Sequence, residues 1–321
     1  MQTVTRSVSK GPFPGPLIIE SDSSTLPLDE YLAEYLPSLR DELVQHGALL
    51  FRGFPVCSVE EFDRAVSAFM NSRLNYTYRS TPRTMLGKEV FTATEYPQTL
   101  EIPLHSENAY QREWPMVVAF ACMQPATAGG ATPISSIRVA SSLMGASILD
   151  MLTELKIKYV RHYRPYVDLP WQTVFQTESK MDVATFCESH DILHEWLDDE
   201  TLRTEQVCQG TAMHPVLGER VFFNQAHLFH VSSLGTAAAA PLIEMFGENA
   251  LPRNAFFGDG SELNADFLRR IRSALQKGII DIEWQRGDVM ILDNMQFAHG
   301  RRKFTGDRKI LVALGEPHRP C

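Results

Sequence analysis

The chain has 321 residues and a formal net charge of −9, with 44% hydrophobic and 21% charged residues. These proportions match a soluble globular protein with a sizeable core, and they exclude disordered, collagen-like and coiled-coil chains. Basic residues occur only in short clusters such as Arg301-Arg302-Lys303, so no cationic face is available for a nucleic acid.

The five cysteines, Cys57, Cys122, Cys187, Cys208 and Cys321, are widely spaced and include no CxxC pair. This argues against a disulfide framework and against a Cys-type zinc site. Met1 to Lys10 has no apolar signal-peptide core, and no apolar run reaches the roughly 20 residues of a membrane helix. The expected location is the cytoplasm, with no membrane partner.

Residues 1–16, rich in Gly, Pro and Ser, read as an irregular arm. Leu28 to His46 has apolar residues at helical spacing and stops at Gly47, with Pro37 expected to split or kink it. Ala48-Leu49-Leu50-Phe51 reads as a buried strand. A helix is expected after Ser58, with Glu60 and Glu61 in its first turn, running to about Met70. Val117 to Cys122 is a second buried strand, Gly129-Gly130 a turn, and Ala131 to Ile134 the start of another strand. Val139 to Leu155 reads as one helix and Arg220 to Phe223 as a short strand. Ala237 to Met245 and Glu262 to Gln276 read as helices. Ile279 to Trp284, Asp288 to Leu292 and Ile310 to Leu314 form a strand-rich tail. There is no βαβα alternation, no GxGxxG after a strand, no P-loop and no repeat. The pattern is that of an antiparallel β core wrapped by helices.

Within Leu104-His105-Ser106-Glu107-Asn108-Ala109-Tyr110, His105 and Glu107 stand two apart. On a strand they would project from one face and offer a metal two adjacent ligands. Two His and one carboxylate on one face of an octahedron leave three positions open, as in non-heme Fe(II) oxygenases. His299 is the candidate third ligand, because it follows a strong strand signal and precedes Gly300. HxE alone is a weak signal, since surface strands carry such pairs often. The weight lies in the combination of His105, Glu107 and His299 with Gly129-Gly130-Ala131-Thr132 and a downstream arginine.

In that combination the chain resembles the Fe(II)/2-oxoglutarate-dependent dioxygenases of the taurine dioxygenase (TauD/TfdA) and clavaminate synthase type, from about His46 to Leu314. The resemblance implies a double-stranded β-helix, or jelly roll, of eight core strands with flanking helices, as one domain over 1–321. It implies helical inserts at about 175–210 and 235–277. It implies His105, Glu107 and His299 as Fe(II) ligands, with O2 as co-reactant. Thr132 and Arg308 are implied as the residues that bind the carboxylate of 2-oxoglutarate, a task that suits a permanently charged, bidentate guanidinium. Glu at the carboxylate position and the string His-Ser-Glu-Asn-Ala-Tyr resemble the amino-acid oxygenase branch. Leu169-Pro170-Trp171-Gln172, Val174-Phe175-Gln176-Thr177 and Phe223-Asn224-Gln225-Ala226-His227 resemble its syringomycin-biosynthesis (SyrP-like) aspartyl hydroxylase group. Pro165 stands after Arg164 where that group has Asn.

Asn108, Arg301 and Arg302 are candidate substrate residues, each with a structural alternative: a turn cap for Asn108, solvated loop charges for the arginines. His227 and His230 read as pocket lining or local hydrogen bonding, and Asp293 as a strand-end cap. The expected reaction is hydroxylation or desaturation of an unactivated C–H bond in an amino acid or an aminoacyl group on a peptidyl carrier protein, in secondary metabolism. The presence of Glu107 disfavours halogenation, because related halogenases replace that carboxylate to admit chloride. The alternatives are a catabolic dioxygenase for a small sulfonate or carboxylic acid, a non-catalytic jelly-roll sensor, and a cupin-like metal hydrolase. The hydrolase would need a general base that the sequence does not offer.

Overall fold

The apolar runs around Leu50, Ala119 and Ile291 carry no polar alternation because both faces of their strands are covered. In the computed structural model, which describes residues 3–8, 13, 15–23, 25–74, 78, 80, 83–87, 89–93, 96–165 and 167–320, they lie side by side in a seven-stranded sheet. Its order is Val4–Val8, Leu17–Ser21, Ala48–Arg52, Val289–Asp293, Trp114–Gln124, Lys309–His318 and Val90–Thr92. All neighbours are antiparallel except Leu17–Ser21 and Ala48–Arg52. Leu49, Phe51, Ala119, Ile291 and Leu311 face outward against the helices Leu28–His46 and Val59–Phe69. Leu50, Phe120, Met290, Leu292 and Val312 face inward, against Ile134 and Phe297 of a second sheet. Each such side chain contributes about 1.5–3 kcal/mol on burial, which accounts for the continuous apolar sequence.

The second, minor sheet runs Ile279–Ile282, Thr132–Ser136, Phe297–Arg301 and Ile102–His105. The two sheets form the jelly roll. A further four-stranded sheet, Leu193–Trp196, Leu202–Cys208, Ile157–Tyr163 and Arg253–Phe257, builds a second apolar core with the helix Ala265–Lys277. None of the helices in the described residues is long and apolar enough to cross a membrane.

Several expectations are corrected. Within the arm, Val4–Val8 is a strand paired along Leu17–Ser21, because its β-branched residues suit a sheet edge. Residues 1, 2, 9–12 and 14 of that arm lie outside the described residues. The 175–210 insert is helical only at Lys180–Ser189; Leu202–Cys208 alternates buried and half-buried residues and joins the third sheet. The 235–277 insert likewise holds the strand Arg253–Phe257 between the helices Thr236–Phe246 and Ala265–Lys277. Pro37 sits inside one helix from Leu28 to His46. It is solvent-exposed, so the carbonyl it leaves unpaired is open to water. Gly145, at φ 82°, breaks the expected Val139–Leu155 helix into Ile137–Met144 and Ala146–Leu155. The helix after Ser58 forms as expected, and Ser58 and Glu61 close a capping box with reciprocal side-chain bonds of 3.1 and 3.0 Å.

Candidate metal centre and cosubstrate cleft

The minor sheet brings together residues far apart in sequence. Phe297–Arg301 lies between Thr132–Ser136 and Ile102–His105, with His299 opposite both Ile134 and His105. The register shifts between His299 and Arg301. Glu107 arrives differently from the strand expectation. The strand ends at His105, and Glu107 stands in the turn that follows, where Asn108 adopts φ 54°. That turn, rather than the two-residue strand period, aims the carboxylate.

One donor atom from each of His105, Glu107 and His299 lies within 4.8 Å of the other two. The imidazole centroids are 4.6 Å apart, and His299 Nε2 is 3.8 Å from Glu107 Oε2. His105 Nδ1 lies 2.8 Å from the Pro103 carbonyl. A carbonyl only accepts, so Nδ1 carries the proton and Nε2 keeps its lone pair for a metal. Burial, reinforced by neighbouring His299, pushes the His105 imidazole down to about 4, so it stays neutral. Burial alone would push the Glu107 carboxyl up. The Arg83 guanidinium, at 2.7 Å from Oε2, acts together with the His299 and His105 imidazoles to outweigh it, and they hold the group well below the usual carboxylate range. A neutral imidazole and an ionised carboxylate are the deprotonated donors that a divalent cation requires. The donor set therefore fits Fe(II).

Buried side chains hold the ligand backbone. Asn294, fully buried, accepts from the Glu107 N–H with Oδ1 at 2.7 Å. Its Nδ2 donates to the carbonyls of Glu107 and Pro115 at 2.9 and 2.8 Å. Asp293 caps the turn before His299, as expected, accepting from the N–H groups of Met295 and Gln296. His214 Nε2 lies 2.8 Å from the second Asp293 oxygen. Its Nδ1 accepts from Val216 and Leu217, so Nε2 is the donor.

A cleft runs from His105 and His299 to Thr132, Arg301 and Arg308. Phe120 closes one side, edge-on to the His299 ring with centroids 5.0 Å apart. Arg308 Nε donates to the Gly130 carbonyl at 3.0 Å. Burial, with Arg301 nearby, pushes its guanidinium down to about 10; an anion at this end of the cleft would relieve that cost. Gly130 sits at φ 76°, and a Cβ there would stand 3.1 Å from Arg308 Cδ, so a glycine is required. The Thr132 hydroxyl accepts from Trp284 Nε1 at 2.9 Å. Its own proton is thereby left to donate to a carboxylate.

The remaining candidates divide. Asn108 is buried next to Glu107, and its Oδ1 has no hydrogen-bond partner among the described residues. Arg301 lines the cleft, but its two terminal nitrogens donate to the carbonyls of Tyr96, Pro97 and Leu100. Arg302 is corrected: it pairs with Asp281 at 2.9 Å and Glu101 at 3.7 Å and does not line the cleft. His230 accepts from the Ser232 N–H and caps a short turn. Among the described residues, His227 and His230 join no second trio of metal donors. Sequence reasoning missed Asn294, Trp284 and Arg83. A polar residue inside the run Ile291-Leu292-Asp293-Asn294-Met295 was the available signal for Asn294, whereas nothing in the sequence pointed to Arg83.

The family model described as "Taurine catabolism dioxygenase TauD, TfdA family" matches residues 12–314. The dapdiamide synthesis protein DdaC of Enterobacter agglomerans is 38% identical over 303 residues, covering 94% of this chain and 92% of that protein. A clavaminate synthase-like protein of Arabidopsis thaliana is 30% identical, covering 94% and 93%. Solved structures that share the fold include PvcB, an iron- and α-ketoglutarate-dependent oxygenase, with a TM-score of 0.54, 17% identity, and coverage of 97% of this chain and 90% of that one. Another is asparagine oxygenase in complex with Fe(II), 3-hydroxyasparagine and succinate, with a TM-score of 0.53, 14% identity, and coverage of 89% of this chain and 79% of that one. With Fe(II), 2-oxoglutarate and O2 as its reactive partners, the chain belongs to the TauD/TfdA family of dioxygenases.

Proposed function

We propose that this dioxygenase hydroxylates an unactivated C–H bond of an amino acid, or of an aminoacyl group presented on a carrier protein. The observation that carries the reading is the His105, Glu107 and His299 trio at the end of a cleft whose far end holds Thr132 and Arg308. The likeness to a dapdiamide synthesis protein supports a role in secondary metabolism, and the fold shared with asparagine oxygenase supports an amino acid substrate.

In this reading His105, Glu107 and His299 hold the iron. Bound iron with 2-oxoglutarate and O2 supplies the oxidising power, with CO2 and succinate as coproducts. The chain's own groups do the rest. Arg83 keeps Glu107 ionised, and the Pro103 carbonyl keeps the proton of His105 on Nδ1. Arg308 and the Thr132 hydroxyl hold one carboxylate of the cosubstrate, fixing its direction toward the trio. Phe120 and Ile310 limit water along the cleft wall. Asn108 Oδ1, without a partner among the described residues, is the acceptor for a substrate N–H beside Glu107. The intact carboxylate at 107 favours hydroxylation or desaturation over halogenation.

The test is succinate formation by anaerobically iron-loaded protein given 2-oxoglutarate and O2, with free amino acids compared against carrier-loaded ones. Stimulation by one free amino acid supports a free substrate, and stimulation only by the loaded carrier supports a tethered one. Stimulation by neither, with turnover of a small sulfonate instead, would overturn the amino acid reading.

A further inference from the structure

The segment Phe223-Asn224-Gln225-Ala226-His227 contributes no metal donor and does not line the cleft, yet all five residues are buried. Buried amides and imidazoles are retained where they satisfy a particular partner. Gln225 Nε2 donates to the Ser106 carbonyl at 2.6 Å, and His227 Nε2 lies 2.9 Å from the Leu104 carbonyl. These two carbonyls flank His105. A carbonyl only accepts, so the single proton of the neutral His227 ring is on Nε2, and Nδ1 is left buried without a partner among the described residues. The segment is anchored in turn. Asn224 Nδ2 donates to Gly210 at 2.7 Å, the Gln225 N–H to the Tyr159 hydroxyl at 2.8 Å, and Arg272 grips the His227 carbonyl with two N–H groups at 3.0 and 2.8 Å.

The strand these side chains touch is the edge of the minor sheet. Its only ladder neighbour among the described strands is Phe297–Arg301, and that ladder is interrupted by a register shift. An edge strand held along one side is free to shift its backbone. Gln225 and His227 supply hydrogen bonds that a second neighbouring strand would have supplied.

We propose that Gln225 and His227 are positioning residues for the metal trio: by holding the carbonyls on either side of His105, they fix the directions in which His105 and Glu107 present their donor atoms. The inference rests on the reading of His105, Glu107 and His299 as metal ligands. The experiment measures Mn(II) affinity of the full-length metal-free protein by chelator competition, together with the visible absorption of bound Co(II). His227→Leu and Gln225→Met are each expected to weaken Mn(II) binding by about 10–100-fold, as loss of outer ligand supports does, and to alter the Co(II) spectrum. His227→Gln keeps an N–H of similar reach and is expected to restore most of both. Wild-type affinity and an unchanged spectrum in His227→Leu and Gln225→Met would overturn the inference, even if both melt at lower temperature. Should His227→Leu not fold, Gln225→Asn, one methylene short of the carbonyl, carries the same test. A parallel His105→Ala variant separates the two readings: if it too binds Mn(II) like the wild type, the ligand assignment is what fails.

Discussion

Asn294 bonds both backbone polar groups of Glu107, through Oδ1 at 2.7 Å and Nδ2 at 2.9 Å. The turn that precedes the distal histidine is thus tied to the turn that carries the carboxylate. Replacing Asn294 by Leu leaves a buried N–H and two buried carbonyls without this partner. A loss of about 2–3 kcal/mol is expected, read as a lower urea midpoint with unchanged slope. Unchanged stability would show that the two turns hold each other by other means.

His227 makes stability depend on pH in a definite direction. Burial pushes its imidazole down to about 4, against about 6.5 in an unfolded chain. Between these values the unfolded state binds the proton and the folded state does not. The stability contribution is therefore present above about 6.5 and is lost as pH falls toward 4. In His227→Gln this part of the slope disappears, so the stability-versus-pH curve of the metal-free protein should be flatter between pH 6.5 and 4 than that of the wild type.

Arg83 keeps Glu107 ionised against its burial. In Arg83→Met the desolvation cost is no longer opposed by that cation, and the carboxyl rises. Metal uptake needs the carboxylate, so its midpoint should move to higher pH. Mn(II) binding titrated from pH 4 to 8 checks this, and an unmoved midpoint would remove Arg83 from the account.

Arg308 and Trp284 serve the same end of the cleft with different weights. A charge-assisted bond to a carboxylate is worth about 1.5–3 kcal/mol, so Arg308→Gln should raise the KM for 2-oxoglutarate by roughly 10–150-fold. Mn(II) affinity in the absence of 2-oxoglutarate should be unchanged. Trp284→Phe removes only the donor that orients the Thr132 hydroxyl, so a change of up to about tenfold is expected.

The parts of this architecture legible in the sequence share a cause. Leu49 to Phe51 and Met290 to Leu292 are apolar at every position because both sheet faces are covered, so they read as buried strands at sight. His105, Glu107, His299, Thr132 and Arg308 were legible because their residue types and order resemble a known pattern, not because periodicity places them together. What escaped depends on tertiary context. Arg83 matters only because its segment lies over Glu107, and Gln225 only because an edge strand runs past it. Arg302 reads like Arg301 in the sequence, and only the fold sets Asp281 and Glu101 against it. Val4–Val8 was lost among Gly, Pro and Ser because edge strands need little apolar signal.

The position of Ile102–His105 at the sheet edge bears on how the protein is made. Its ladder partner begins only at Phe297. During synthesis His105 and Glu107 emerge early and wait, without their strand neighbour, until that distant segment has been made. Non-local pairing of this kind is slow and exposes strand edges to other chains. Iron capture therefore waits for Phe297–Arg301: a chain made only as far as residue 296 carries His105 and Glu107 without the third member of the trio, and the centre is complete only once that strand has joined the sheet.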